Sequence, residues 1–276
     1  MAKRYKRHRD YGFFDQDIRL SKLSQLGDPL ERLNTGIDFE MFREFLETSL
    51  HKQPRGKGGR PPYDYVLMFK ILILQRYYNL SDEQTEYQIN DRMSFMRFLG
   101  LTISDDIPDS RTIWYFTETL TELSLVKDLF DLFSKELERL GLIVNEGRIV
   151  DASFVEAPRQ RNSREDNQKI KQGQGGELWE DKPNKKRQKD TDARWTKKNN
   201  QNHYGYKNHT KTDSKSKLIN TYKVTDASVH DSQAVDELLN EADKGQDFYA
   251  DSAYVGQDNI LNKHEVNNAN QGLSFI

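Results

Sequence analysis

The 276-residue chain contains no cysteine, which excludes disulfide frameworks and thiolate metal sites and suits a reducing compartment. Long hydrophobic runs are missing as well. The longest apolar stretch, Val66 to Leu74, is interrupted by Lys70 and falls short of the roughly 20 residues a membrane helix requires. Met1 to Asp10 is basic, but no apolar segment of signal-peptide type follows it. No Walker glycine loop, nucleophile elbow or histidine-rich zinc motif is present. Net charge is also nearly absent, since 42 Lys and Arg stand against 44 Asp and Glu, giving −2. Taken as evenly spread, that balance disfavours nucleic acid as a partner. What the chain does have is charge of both signs, 31% of its residues, and enough length for one large or two ordinary domains.

The charge is not evenly spread. Between Arg159 and Lys217 there are 17 Lys or Arg and 8 Asp or Glu, a local excess of +9 that leaves −11 for the rest. Such a block suits a polyanion, and it equally suits a solvated, partly disordered loop.

Periodicity divides the chain. A basic arm (Lys3, Arg4, Lys6, Arg7, Arg9) precedes a short helix predicted over Asp38 to Leu50, where Phe39, Phe42, Leu46 and Leu50 recur at helical spacing. Pro54 to Pro62 is dense in Gly and Pro and reads as a linker first; its basic Gly-Arg-Pro core, with Arg55, Lys57 and Arg60, is also compatible with an extended arm in a DNA minor groove. From Tyr63 to Leu140 the pattern is helical. Val66 to Tyr77 is apolar on nearly every side and so belongs at the centre of a bundle. Ser81 to Gln84 forms a capping box that opens a second helix, running to about Arg92. Pro108-Asp109-Ser110 opens a third, with Ile113, Trp114, Phe116 and Leu120, and a fourth runs from about Ser124 to Gly141. Short helices with tight turns fit a helix-turn-helix unit, and they fit any small bundle.

Past Gly141 the period falls to about 2. Arg148 to Val155 reads as a largely buried strand, followed by a long lysine-rich region to about Asn202. Two strands, near His203–Thr210 and Leu218–Asp226, flank the turn at Asp213 to Ser216. A helix with Ala234, Val235, Leu238 and Leu239, a strand over Phe248 to Tyr254 and a helix over Gly256 to Val266 complete the pattern. This order fits an α/β domain in which the first strands form a meander and a crossover helix returns the later one.

Asp151 and Asp251 each lie within or at the end of an apolar strand, where charge is costly unless paired or metal-bound. Two aspartates ending neighbouring strands would suit Mg²⁺ or Mn²⁺ and a two-ion phosphoryl transfer; either could instead cap the following turn. His230-Asp231 offers a further metal pair, or a helix cap by Asp231 or Ser232. Tyr204 and Tyr206 interleave with His203, Lys207 and His209, an arrangement that suits base stacking or an ordinary half-buried strand.

At these residues a family resemblance emerges. Gly59 to Asp64 followed by Met68-Phe69-Lys70, then Leu80 to Gln84 and Phe98 to Leu101, resembles the N-terminal domain of insertion-sequence transposases of the IS-five type. Ile149 to Ser153, Asp190 to Trp195, Tyr204 to His209, Val224 to Asp231 and Ala250 to Tyr254 resemble that family's catalytic half, in order. The resemblance implies an α+β chain: an all-helical DNA-binding domain, then an RNase H-like domain with a DDE metal site. Its implied limits are 1–58 for the arm and short helix, 59–141 for the DNA-binding domain and 142–276 for the catalytic domain, with a basic insertion near 159–202. It further implies a bacterial cytoplasmic protein acting on double-stranded DNA as a homo-oligomer. Asp151 and Asp251 match the first two catalytic carboxylates and would hold Mg²⁺ or Mn²⁺. Arg55, Lys57, Arg60, Lys185, Lys186, Arg187, Lys189, Arg194, Lys197, Lys198 and Lys207 are the expected DNA contacts. The family's third carboxylate is a glutamate in a Tyr-x-x-Arg-x-x-x-Glu signature. Here the only glutamate after Asp251 is Glu265, with no arginine in the tail, so the expectation is a truncated or frameshifted product that lacks its last elements. Two activities follow as alternatives, strand cleavage with transfer, or repression by a catalytically dead end-binding protein.

Overall fold

A computed structural model describes residues 12–50, 61–198, 200–254 and 256–269. The chain forms two compact units, 1–132 and 133–276. No helix among the described residues is long and apolar enough to cross a membrane.

The first unit is helical: α1 (Asp15–Gln25), α2 (Pro29–Gly36), a 3₁₀ turn (Phe39–Phe42), α3 (Arg43–Leu50), α4 (Tyr65–Tyr78), α5 (Asp82–Asp91), α6 (Met93–Leu99) and α7 (Ser110–Glu122). Helix α8 (Leu125–Arg139) carries the chain into the second unit. The apolar α4 packs against α3, α5, α6 and α7, the central place its sequence predicts. Asp64 caps its start by accepting the Leu67 amide at 2.9 Å, and Asn79 ends it in the left-handed conformation. The capping box of α5 forms as expected, with the Ser81 hydroxyl and the Gln84 amide 3.2 Å apart and the Gln84 side chain 3.0 Å from the Ser81 amide. The second predicted helix ends where expected, at Arg92, but Phe95, Phe98 and Leu99 lie on a further helix, α6, that the periodicity did not predict. Of the apolar residues on α7, Ile113, Phe116 and Leu120 are buried, whereas Trp114 is 53% exposed. Neither α1 nor α2 was anticipated; Arg97 ties α6 to the N-cap of α2 through Asp28 at 2.6 Å.

The second unit is a six-stranded mixed sheet with short helices. Its strands and helices are β1 (Arg148–Glu156), α9 (Arg164–Lys171), α10 (Pro183–Arg187), β2 (Arg194–Lys198), β3 (Gln201–Asp213), β4 (Ile219–Asp226), α11 (Val235–Leu238), β5 (Asp247–Ala250), α12 (Asp258–Lys263) and β6 (Asn267–Asn268). Strand β3 pairs antiparallel with β2 through its first five residues, and with β1 and β4 through most of the rest. On its other side β1 pairs in parallel with β5, and β5 in parallel with β6. The β3–β4 turn closes where Asp213 accepts the Ser216 amide at 2.7 Å. Three expectations change here. The strand expected over 248–254 ends at Ala250 and is followed by a 3₁₀ turn; the helix expected over 256–266 shrinks to Asp258–Lys263; and the polar Asn267-Asn268 pairs as a strand.

The apolar core of this unit joins Val150 and Phe248 of the parallel strands to Val235, Leu238, Leu239, Tyr254, Leu261 and Val266. Beside it the inward face of β3 is polar throughout, since Lys207, His209, Lys211 and Asp213 are all buried. Their charges are matched across the sheet. Arg148 and Lys211 both reach Asp243 at 2.5 Å, and Arg148 also meets Asp213 at 3.4 Å, every one of these side chains being fully buried. Burial depresses the Lys211 pKa, a penalty that Asp243 partly offsets.

The lysine-rich region after β1 is folded rather than loop-like. Ser163 and Asp166 form a capping box at the start of α9, and Ile170, Leu178 and Trp179 make a small core of their own.

Candidate active site

The register of the parallel pair decides where the two aspartates lie. Val150 pairs with Ala250 in the last pair of the register; Asp151 is the next residue of β1, and Asp251 is the first residue after β5. Neighbouring strands run about 5 Å apart, so the two carboxylates start from adjacent backbone positions at the carboxyl end of β5. Asp151 lies within β1 and Asp251 directly after β5, the strand positions expected, but neither is buried: both side chains are exposed. On β1 the buried Arg148 and Val150 alternate with outward positions, and Asp151 takes an outward one. Asp151 accepts the Ala152 amide at 2.8 Å, and Asp251 accepts the Ala253 amide at 2.9 Å. Turn capping therefore does occur at Asp251, through one of its two oxygens. The donor set is two carboxylates, the oxygen chemistry that a hard cation prefers while it keeps several waters. Among the described residues no group of three or more His, Cys, Asp or Glu side chains is gathered to hold a metal.

A third aspartate lies close by in a different state. Asp231 is neither a helix cap nor part of a metal pair with His230. The cap is His230 itself, whose ring accepts the Ser232 amide. Asp231 is buried and forms an ion pair with Lys207 at 2.8 Å, with Lys198 at 3.6 Å. Burial pushes its carboxyl pKa up, but Lys207, Lys198 and His209 outweigh that, and the net shift is downward. Tyr254, at the end of the turn after Asp251, has its hydroxyl pKa raised first by burial and then by Asp231, Asp151 and Asp251. Sequence reasoning missed Tyr254 and the pairing of Asp231. The signal was the polar residue at every second position of β3, which on an inward face demands buried partners.

Two family models match this chain: one described as a transposase domain (DUF772) over residues 18–119, the other as a transposase DDE domain over residues 144–273. Together the two matched domains indicate a DDE transposase. The first match covers helical residues and the second covers the mixed sheet with both aspartates. No solved structure matches this transposase.

The transposase's expected DNA contacts divide by environment. Lys185, Arg187, Lys197 and Lys198 are exposed. Lys186 instead spends its ammonium on the Gly176 carbonyl at 2.5 Å, and Lys189 on the Arg161 carbonyl and the Asn162 side chain at 2.8 and 2.7 Å. Arg194 is half-buried and donates to the carbonyls of Thr191 and Ile170 at 2.6 and 3.0 Å. Lys207 is corrected outright: it is buried, and its ammonium is committed to Asp231 and to the Val229 carbonyl at 2.6 Å. Arg55, Lys57 and Arg60 lie outside the described residues. The aromatic residues interleaved on β3 face the other way from Lys207, and Tyr206 donates to Asp190 at 2.7 Å. Beside them Trp195, 53% exposed, lies 5.0 Å from Tyr204, and the Arg159 guanidinium sits 5.5 Å from the Trp195 ring.

Proposed function

We propose that this chain binds the inverted-repeat ends of an insertion sequence and carries out metal-dependent DNA strand cleavage and strand transfer. The observation that carries the reading is the register that sets Asp151 beside Asp251 at the carboxyl end of a parallel strand pair, a common place for ligands in open α/β sheets. The strand order β4-β3-β1-β5-β6, with antiparallel pairs through β1 and parallel pairs beyond it, supports an RNase H-like assignment. The signatures from Gly59 to Tyr254 support the IS-five type.

In this reading Asp151 and Asp251 hold Mg²⁺ or Mn²⁺ through the carboxylate oxygens not engaged by the Ala152 and Ala253 amides. Bound there, the cation would supply Lewis-acid polarisation of the phosphate and lower the pKa of an attacking water or 3′-hydroxyl. Lys185, Arg187, Lys197 and Lys198 grip backbone phosphates and orient the strand. Lys207 keeps Asp231 neutralised, so that this buried carboxylate does not add an unpaired negative charge beside the incoming phosphate.

The test is a cleavage assay with the purified full chain, Mg²⁺ and linear DNA carrying the element's inverted repeats. Strand breaks at the repeat ends are expected. Binding to the repeats without cleavage would favour the end-binding repressor, and no preference for the repeats over random duplex would contradict both.

A further inference from the structure

The sheet of the second unit carries a cavity that the proposed cleavage chemistry does not use. Its volume is about 560 Å³, ordinary for the binding of a small molecule, and its walls include Trp195 of β2, Tyr204 of β3 and Gln160 of the segment between β1 and α9. The aromatic wall is open. Trp195 keeps 53% of its surface exposed, although Tyr204 lies 5.0 Å from its ring and the Arg159 guanidinium 5.5 Å. So large a ring leaves apolar area in water that a stacked partner would cover. The polar wall is incomplete as well, because Oε1 of Gln160 is buried and has no hydrogen-bond partner among the described residues. A buried acceptor left unpaired is destabilising, so the cavity calls for a ligand that donates a hydrogen bond.

The register puts this cavity on the same side of the sheet as Asp151. Asp151 stands opposite Thr210 and Trp195 opposite Tyr204. Positions 204 and 210 of β3 are an even number apart, so Asp151, Tyr204 and Trp195 project from one face. The separation along β3 is roughly 20 Å at about 3.3 Å per residue, less than the ~34 Å of one duplex turn. Cations surround the cavity: Lys171 on its wall, Arg159 beside Trp195 and Lys197, next on the same face of β2, are all exposed. An aromatic platform, an unpaired acceptor and a cationic rim together suit a base with phosphates on either side of it. A base within a duplex has its faces stacked and its edge paired, so only an unpaired one can enter. Each DNA base then offers an N–H on its Watson–Crick edge for Gln160 to accept.

We propose that this cavity holds an unpaired nucleobase of the DNA strand, stacked on Trp195 and Tyr204 and donating an edge N–H to Gln160 Oε1. The proposal rests on the reading of the chain as a DNA-cleaving protein. The cavity thereby favours DNA that is single-stranded near the aspartates over intact duplex.

The experiment uses the purified full chain and fluorescence anisotropy, with a labelled oligothymidylate and a labelled inverted-repeat duplex as probes, for wild type, Trp195→Ala and Trp195→Phe. Trp195→Ala should bind the oligothymidylate roughly 5- to 100-fold more weakly, the scale of one lost aromatic–base stack, and bind the duplex within about twofold of wild type. Trp195→Phe keeps an aromatic face and should fall between the two. In the wild-type chain, irradiation of an iododeoxyuridine-substituted single strand should crosslink it to Trp195 or Tyr204, a readout that depends on no variant folding. Wild-type affinity of Trp195→Ala for the oligothymidylate would overturn the proposal, and so would crosslinks found only outside the cavity. Equal losses on single strand and duplex would also overturn it, since a general structural role produces those. Duplex binding by wild type without oligothymidylate binding refutes the cavity's role alone. If wild type binds neither probe, the DNA reading itself fails and the proposal falls with it.

Discussion

Asp231 and Lys207 meet at 2.8 Å as a buried ion pair, one from the turn after β4 and the other from the inward face of β3. Lys207→Met should therefore destabilise the second unit by about 3–5 kcal/mol, because it strands a buried carboxylate. Asp231→Asn strands the ammonium instead and should fall in the same range. Urea denaturation monitored by tryptophan fluorescence measures both. A loss under about 0.5 kcal/mol, the scale of an ordinary surface change, would contradict the burial of the pair.

Acid should weaken the second unit in two stages. His209 is buried with its Nε2 2.8 Å from the Thr225 hydroxyl, and burial depresses its pKa from the ordinary 6.5. Its contribution is fully present above pH 6.5 and is lost as pH falls through the folded value below that. Asp231 and Asp213 have carboxyl pKa values below the ordinary 3.8, since their ion-pair and hydrogen-bond partners outweigh burial. Their contribution is present above pH 3.8 and disappears as pH falls through the folded values. Urea midpoints taken from pH 7.5 down to pH 3 should decline first below about pH 6.5 and more steeply near pH 3. His209→Gln should remove the first decline and leave the second.

Gly205 is irreplaceable for a steric reason. Its φ is +145°, and a Cβ there would lie 2.2 Å from the Val155 carbonyl oxygen and 2.7 Å from the Ala157 nitrogen. Gly205→Ala should cost at least about 1–3 kcal/mol from backbone strain, with the clash added. Gly100, with φ +76° and open space around it, offers the comparison. Gly100→Ala should cost only about 1 kcal/mol. Thermal melts of the two variants decide it, and equal losses would contradict the close approach of β3 to β1.

The exposed lysines and the buried one should differ in their salt signature. Replacing Lys185, Arg187 or Lys197 with alanine should lower the slope of log K against log salt by about 0.9 for each phosphate left without its cation. Lys186→Ala should leave it unchanged, since that ammonium is spent on the Gly176 carbonyl. Fluorescence anisotropy on repeat DNA between 50 and 200 mM salt, about the range in which such slopes show, separates the two groups.

The parts legible from sequence were those in which local chemistry and burial agree. The apolar α4, the Ser81–Gln84 box and the Asp213–Ser216 turn each announce themselves through residues whose partners lie within a few positions. Strand β2 stayed hidden because Arg-Trp-Thr-Lys-Lys carries the composition of a solvated loop, and only its pairing with β3 makes it a strand. The polar face of β3 inverted the usual pattern. Its lysines look outward-facing until Asp231 and Asp243, more than 20 residues away in sequence, supply the charges that bury them. Strand patterning offers Asp151 and Asp251 as a pair on neighbouring strands or as turn caps, whereas their exposure and the unpaired hydroxyl of Tyr254 emerge only from the register and the packing.

The most direct test of the central claim is Mg²⁺-dependent cleavage of inverted-repeat DNA by Asp151→Asn and Asp251→Asn, measured with repeat binding by the same preparations. Both side chains are exposed, so the variants should fold and bind the repeats like wild type. Each should lose cleavage by a factor of at least about 10², on the scale of losing a group that stabilises the transition state. Cleavage retained near the wild-type rate in either variant would contradict the assignment of these two aspartates to the metal centre.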